Sequence, residues 1–235
     1  GGTLSAYQTE FLRLRKGRLD GGCHSVRKPP AQKIYMPGPW RRFWDRLRGH
    51  EVRVFESLEA LPILVVRHPR TRRGEEAAES LRTAWVQLLT VMEPDPRQVY
   101  ADVLNALPPM VVVRFEERNA GGVLGHACPR GLESDTTKRL QAETGLPVGE
   151  VDLAFQQIAE WQPRPLASMA SGAEAMESGE LRYRVALLSV LFHELEHLAF
   201  PDREERKVRM RSDAFYGAAL EAGVRGVGSR YGLDH

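Results

Sequence analysis

The feature that most constrains this chain is an apolar stretch, residues 185–200, that contains two histidines and two glutamates in the pattern HELEH at 193–197. Leucine, valine and phenylalanine recur around the pattern at helical spacing, which predicts a buried helix rather than a surface one. Buried polar side chains need partners, because burial without hydrogen bonds or ligands is costly. A metal ion would supply partners for several of them at once.

The spacing of the two histidines suits a shared metal ion. His193 and His197 are four positions apart, so their imidazoles lie on one face of a helix. Two imidazoles in this position can bind Zn2+ at about 2.0–2.1 Å. Glu194 then lies beside the metal, and we expect it to act as the general base for a metal-activated water. The alternative is a hydrogen-bonded polar cluster in a core helix that binds no metal.

This HExxH pattern resembles that of the zincin metallopeptidases, and the resemblance covers the final fifth of the chain. It implies an α+β, zincin-like fold in which a small mixed sheet packs on the HExxH helix, with several further helices. It also implies a zinc endopeptidase that hydrolyses a peptide or protein substrate. Zincins bind extended substrate along an edge strand, and the strand candidates at 110–115 and 123–128 could provide that edge.

A catalytic zinc site needs a third protein ligand and one open position. The residues after HELEH do not follow the metzincin pattern, but the segment DAFYG at 213–217 is similar to the DxxYG part of the aspzincin signature. That resemblance implies that Asp213 binds zinc and that Tyr216 stabilises the oxyanion. Glu205 and Glu221 are the alternatives for the third ligand.

Apolar periodicity and turn residues predict the remaining elements. Alternation and apolar runs indicate strands at 51–55, 61–67 and 110–115, with a hairpin partner at 123–128. Helical spacing predicts helices at 73–92, 98–107, 134–144, 149–161, 180–200 and 203–222. Strands followed by a late, long helix favour the α+β class. We divide the chain into an irregular N-terminal arm with a short helix, 1–50, and a metallopeptidase domain, 51–235.

Composition and charge limit the possible partners. The chain has 235 residues, 42% of them hydrophobic, and a formal net charge of +2, which is typical of a globular protein and makes nucleic acid an unexpected partner. Arginine and lysine nevertheless cluster within residues 11–73. An alternative function is therefore a noncatalytic partner-binding module with a structural zinc and a basic N-terminal face. Such a structural site would have four protein ligands, whereas a catalytic site has three.

The sequence also indicates a compartment. No apolar run approaches the roughly 18–20 residues of a membrane span, and no signal-peptide core follows the N-terminus. We therefore expect no membrane association and a cytoplasmic location, with a trimmed secreted or effector domain as the alternative. The two cysteines, Cys23 and Cys128, form no CxxC pair, so neither a disulfide framework nor a cysteine zinc site is predicted.

Overall fold

The structure is a computed structural model that describes residues 50–55, 61–88, 94–161 and 173–230, with the side chains of 87–88, 173–178 and 222–230 left out. The predicted N-terminal arm lies outside the described residues, apart from His50. The basic clusters before residue 50 are likewise outside them.

Five strands form one mixed sheet in the described part of the chain. They are β1 (His50–Val54), β2 (Ile63–Pro69), β3 (Met110–Glu116), β4 (Gly125–Ala127) and β5 (Val148–Ala154). The order across the sheet is β1-β2-β3-β5-β4. The central strands β2, β3 and β5 run parallel, and each edge strand is antiparallel to its neighbour. The central strands are rich in valine because both of their faces are buried.

Seven α-helices accompany the sheet within the same ranges. They are α1 (Arg72–Thr83), α2 (Pro96–Val99), α3 (Ala101–Ala106), α4 (Asp135–Thr144), α5 (Phe155–Trp161), α6 (Ala173–Ala199) and α7 (Glu205–Arg230). A π-helical turn, Ala84–Leu88, extends α1. The mixture of helices with a five-stranded mixed sheet confirms the predicted α+β class. None of the described helices combines the length and the apolar character that a membrane crossing requires.

The helix α6, which contains HELEH, packs on one face of the sheet. Its Phe192 ring stacks on Tyr100 at a centroid distance of 4.4 Å, inside the larger of two apolar cores. The smaller core lies on the other sheet face, where Leu140 of α4 joins residues of β2, β3 and β5. The sheet is therefore a middle layer, with α6 on one side and α4 on the other.

Two predictions about the strands are wrong, one about where a strand lies and one about how the strands pair. The segment 149–161, predicted as a helix, begins as the strand β5 and becomes helical only at Phe155. Val151, Phe155 and Ile158 are apolar at helical spacing, so the periodicity alone fits a helix. In consequence β4 is not a hairpin partner of β3: β5 lies between them and pairs with both.

The strand β5 approaches α6 closely at one glycine. A Cβ atom at Gly149 would lie 2.5 Å from Cδ2 of Leu198, the residue that follows the HELEH motif. Residues at alternate positions of β5, including Val151 and Leu153, belong to the core that α6 shares. Gly149 therefore allows the end of α6 that bears the motif to lie against the sheet.

Candidate metal centre

Three side chains with metal-ligating atoms converge where α6 ends and α7 begins. One ligand atom from each of His193, His197 and Glu205 lies within 4.8 Å of the others. Oε2 of Glu205 is 2.8 Å from Nε2 of His197 and 3.6 Å from Nε2 of His193. Ligands at about 2.0–2.1 Å from a tetrahedral zinc are about 3.3 Å apart, so these two distances bracket the expected spacing. The residues present therefore fit such an ion.

The turn between the helices brings Glu205 to the histidines. α6 ends at Ala199, and α7 begins at Glu205, where a carboxylate also interacts favourably with the helix N-terminus. Backbone hydrogen bonds from Phe200 to Glu196 and from Arg203 to Phe200 close the turn. Glu205, an alternative in the sequence analysis, is thus the acidic residue that joins the histidine pair among the described residues.

The structure does not bring Asp213 into this group. Asp213 is exposed on α7, about two turns beyond Glu205. Glu221 is also exposed and outside the group. The neighbouring Ser212 does contact His193, but successive helix residues are rotated by about 100°, so Asp213 lies off the face of α7 that meets the histidines.

Tyr216 lies in a different setting from the one predicted for an oxyanion donor. Its ring packs against Trp161 at a centroid distance of 5.2 Å, and its hydroxyl finds no hydrogen-bond partner among the described residues. Burial raises the pKa of this hydroxyl, while the charge of Arg182 acts to lower it. Arg182 precedes His193 on the same helix by a distance of about 16 Å along the axis. Among the described residues, neither of these contacts involves His193, His197 or Glu205.

Glu194 is buried beneath the edge strand β4. Its carboxyl group lies next to the backbone N–H of Ala127, and only 6% of the residue is exposed. Burial raises the pKa of Glu194 to about 8, and the negative charges of Asp152 and Glu205 add to this shift. Once ionised, Glu194 is therefore a strong proton acceptor beside the ligand group and the sheet edge.

A hydrogen bond at Nδ1, the ring nitrogen that does not face Glu205, holds the side chain of His193. Nδ1 of His193 lies 3.2 Å from Oγ of Ser212, and that hydroxyl donates to the carbonyl of Arg209 at 3.0 Å. Burial lowers the pKa of His193, which favours the neutral imidazole that a metal requires. The sequence analysis did not identify Ser212, because its serine-to-histidine contact joins residues on two different helices.

The carboxylate of Glu205 is also oriented by a neighbour. Arg209, one turn later on α7, donates to Oε1 of Glu205 at 3.2 Å, which leaves Oε2 toward the histidines. Partial burial acts to raise the pKa of Glu205, but His193, His197 and Arg209 outweigh it and lower that pKa. Glu205 is therefore held in its ionised, ligand-competent form.

Glu196, the fourth residue of HELEH, is buried rather than exposed. It accepts hydrogen bonds from Arg203 and from Arg211, the latter at 3.3 Å. Both arginines also bind Asp102 of α3, at 3.2 Å from Arg203 and 2.6 Å from Arg211. We call these four residues the Glu196 ion cluster. Because Arg203 and Arg211 precede and follow Glu205, the cluster fixes the segment that carries this ligand against α6.

Comparison of the chain with protein-family models, with curated proteins and with solved structures finds no match in any of the three.

Proposed function

We propose that this protein is a zinc-dependent endopeptidase in which His193, His197 and Glu205 hold the metal and Glu194 is the general base. One observation carries the proposal: three metal-ligating side chains converge beside a buried carboxyl group at the edge of a sheet. Within the described part of the chain the group has three members, which leaves a coordination position for water or substrate. A structural zinc, as in the noncatalytic alternative, would need a fourth protein ligand.

The residues of the chain have distinct tasks in the proposed reaction. A bound zinc would polarise the scissile carbonyl and lower the pKa of a water molecule toward 7. Glu194 would accept a proton from that water and pass it to the leaving amine. Its burial excludes bulk water from this exchange, and the nearby N–H of Ala127 favours the ionised carboxylate.

A peptide is the favoured substrate because β4 offers a sheet edge beside Glu194. Cys128 N–H and the Leu124 carbonyl are bonded to β5, so the outer edge presents the backbone groups of Gly125 and the carbonyl of Ala127, while the Ala127 N–H lies at Glu194. An extended peptide could pair with this edge as an added strand. Such pairing would bring a backbone carbonyl close to Glu194 and the ligand group, whereas a compact small molecule would gain nothing from it.

The first test is zinc content together with casein digestion. Wild-type protein, reconstituted with zinc and dialysed, should hold one zinc per chain and cleave casein. Glu194→Gln should keep the zinc and lose at least about 100-fold in kcat, because the general base is lost. Glu205→Ala should lose both zinc and activity, and Asp213→Ala should keep both.

The matched control is Glu204→Ala, which removes an exposed carboxylate from the residue adjacent to Glu205. It should keep zinc and activity. Zinc retained in Glu205→Ala but lost in Asp213→Ala would transfer the ligand role to Asp213. A wild-type protein that binds no zinc after reconstitution would refute the proposed function.

A further inference from the structure

Ser212 lies between α6 and α7, next to the ring of His193. It is buried on α7, and its Oγ lies 3.2 Å from Nδ1 of His193. Its backbone carbonyl accepts a hydrogen bond from Oγ of Ser189 on α6, at 3.0 Å. Ser212 therefore contacts α6 twice, once through its side chain and once through its backbone.

The hydrogen bonds of the Ser212 hydroxyl indicate which atom donates in its bond with His193. A serine hydroxyl has one hydrogen and two acceptor lone pairs. That hydrogen is directed to the carbonyl of Arg209 at 3.0 Å. Toward His193 the hydroxyl can then only accept, so Nδ1 of His193 must bear the proton in the neutral ring. The proton-free nitrogen is Nε2.

Nε2 is also the nitrogen that faces the ligand group, 3.6 Å from Oε2 of Glu205. A histidine ligand binds a metal through its unprotonated nitrogen, and the hydrogen bond at the other nitrogen sets which one that is. We infer that Ser212 is a positioning residue that fixes His193 as the Nδ1–H tautomer, with the Nε2 lone pair directed at the metal position. This inference rests on the proposed zinc site.

One face of α7 carries three groups that act on the site. Glu205, Arg209 and Ser212 are spaced by four and three residues, so they lie in a row on the helix. Arg209 acts twice: its side chain holds Oε1 of Glu205, and its carbonyl takes the Ser212 hydrogen. The same helical face thus orients the carboxylate ligand and the His193 ligand together.

The test compares Ser212→Ala with Ser189→Ala. The first variant removes the group that accepts from His193. The second removes the other serine contact between α6 and α7 and leaves the Ser212 hydroxyl in place. If Ser212 acted only by packing the helices together, the two variants would behave alike. Ser212→Thr, which keeps the hydroxyl, serves as the conservative variant.

Two measurements separate the roles. In the metal-free protein at a pH where His193 is neutral, its 15N chemical shifts should show the Nδ1–H tautomer in wild type, Ser189→Ala and Ser212→Thr. In Ser212→Ala the Nε2–H form should increase, because Glu205 is then the remaining acceptor near the ring. Zinc affinity, measured by competition with a chelator, should fall by about 10–100-fold in Ser212→Ala, as for other groups that orient a metal ligand.

The outcomes are distinct from those of the proposed function. A wild-type His193 that is Nε2–H, or a Ser212→Ala variant whose tautomer and zinc affinity equal those of Ser189→Ala, would overturn the role of Ser212 while leaving the zinc site intact. A wild-type protein that shows the Nδ1–H tautomer but binds no zinc would instead refute the proposed function, because the tautomer is read without metal.

Discussion

A Cβ atom at Gly125 would lie 2.8 Å from Oε1 of Glu194 and 2.7 Å from its Cγ. The edge strand β4 therefore passes directly over the proposed general base, so close that any side chain in place of Gly125 would overlap with Glu194. Strand β4 contacts the carboxyl group from the side opposite α6. The position of Glu194 thus depends on the sheet edge as much as on α6.

We predict that Gly125→Ala loses activity and keeps its metal. The added methyl would push the Glu194 carboxylate from its position, and a misplacement of about 1 Å in a catalytic group can cost about 100-fold in rate. The three atoms nearest to this methyl all belong to Glu194, so zinc content should remain one per chain. kcat for casein digestion and elemental analysis on the same samples measure both effects.

Gly217→Ala is the control for this substitution. A Cβ atom there meets no other atom within 4 Å, and the residue lies in the helix α7. It should keep full activity and gain up to about 1 kcal/mol in stability, because alanine favours a helix over glycine. Wild-type kcat in Gly125→Ala would mean that Glu194 does not act from the position seen beneath β4.

A second prediction concerns the contact between β5 and the end of α6. Gly149→Ala would place its methyl 2.5 Å from Cδ2 of Leu198, so we expect a loss of about 1–3 kcal/mol from overpacking. Leu198→Ala removes those atoms at its own cost. The double variant should therefore be more stable than the sum of the two single losses predicts, which urea unfolding of the four proteins would measure. Additive losses would show that the two residues do not clash.

The sequence predicts the helix of the site better than the sheet that covers it. HELEH and its apolar surroundings are local features, so α6 and the three motif residues follow from spacing alone. The strand β5 is defined by its pairing with β3 and β4, which are distant in the chain, and its apolar residues also fit a helix. Local periodicity therefore could not separate the two possibilities.

The third ligand shows the same limit. A short motif draws attention to Asp213, whereas the position of Glu205 depends on a five-residue turn and on the Glu196 ion cluster. The cluster joins α3, α6, the turn and α7 through charges that are separated by as many as 109 residues. No local pattern in the sequence marks such a set.

A third prediction tests how the Glu196 ion cluster supports the site. Glu196→Gln would remove the buried charge that faces Arg203 and Arg211. Breaking a fully buried pair costs about 3–5 kcal/mol, but here the arginines are partly exposed and still bind Asp102, so we expect about 2 kcal/mol in urea unfolding. Zinc affinity should also fall, because the segment that carries Glu205 is less firmly held.

Glu204→Gln is the control, since it neutralises an exposed glutamate in the same turn. Its free energy of unfolding should stay within about 0.5 kcal/mol of wild type. Equal stabilities of Glu196→Gln and Glu204→Gln would show that the cluster does not hold the turn.

A fourth prediction concerns the pH dependence of the same cluster. The hydrogen bond from Arg211 lowers the pKa of Asp102 to about 2, and the bond from Arg203 adds to this against the opposing effect of partial burial. Because the folded pKa lies below the ordinary value of 3.8, ionised Asp102 stabilises the fold above that value and loses this effect as the pH falls toward 2. The full shift corresponds to about 2.4 kcal/mol by linkage, but the side chain is 45% exposed, so we expect about 1 kcal/mol after screening.

Urea unfolding of wild type and Asp102→Asn at several pH values measures this effect. The free energy of unfolding of wild type should be higher by this amount near neutral pH, and the difference should vanish as the pH approaches 2. A difference that stays constant over this range would mean that Asp102 stabilises the cluster by packing rather than by charge.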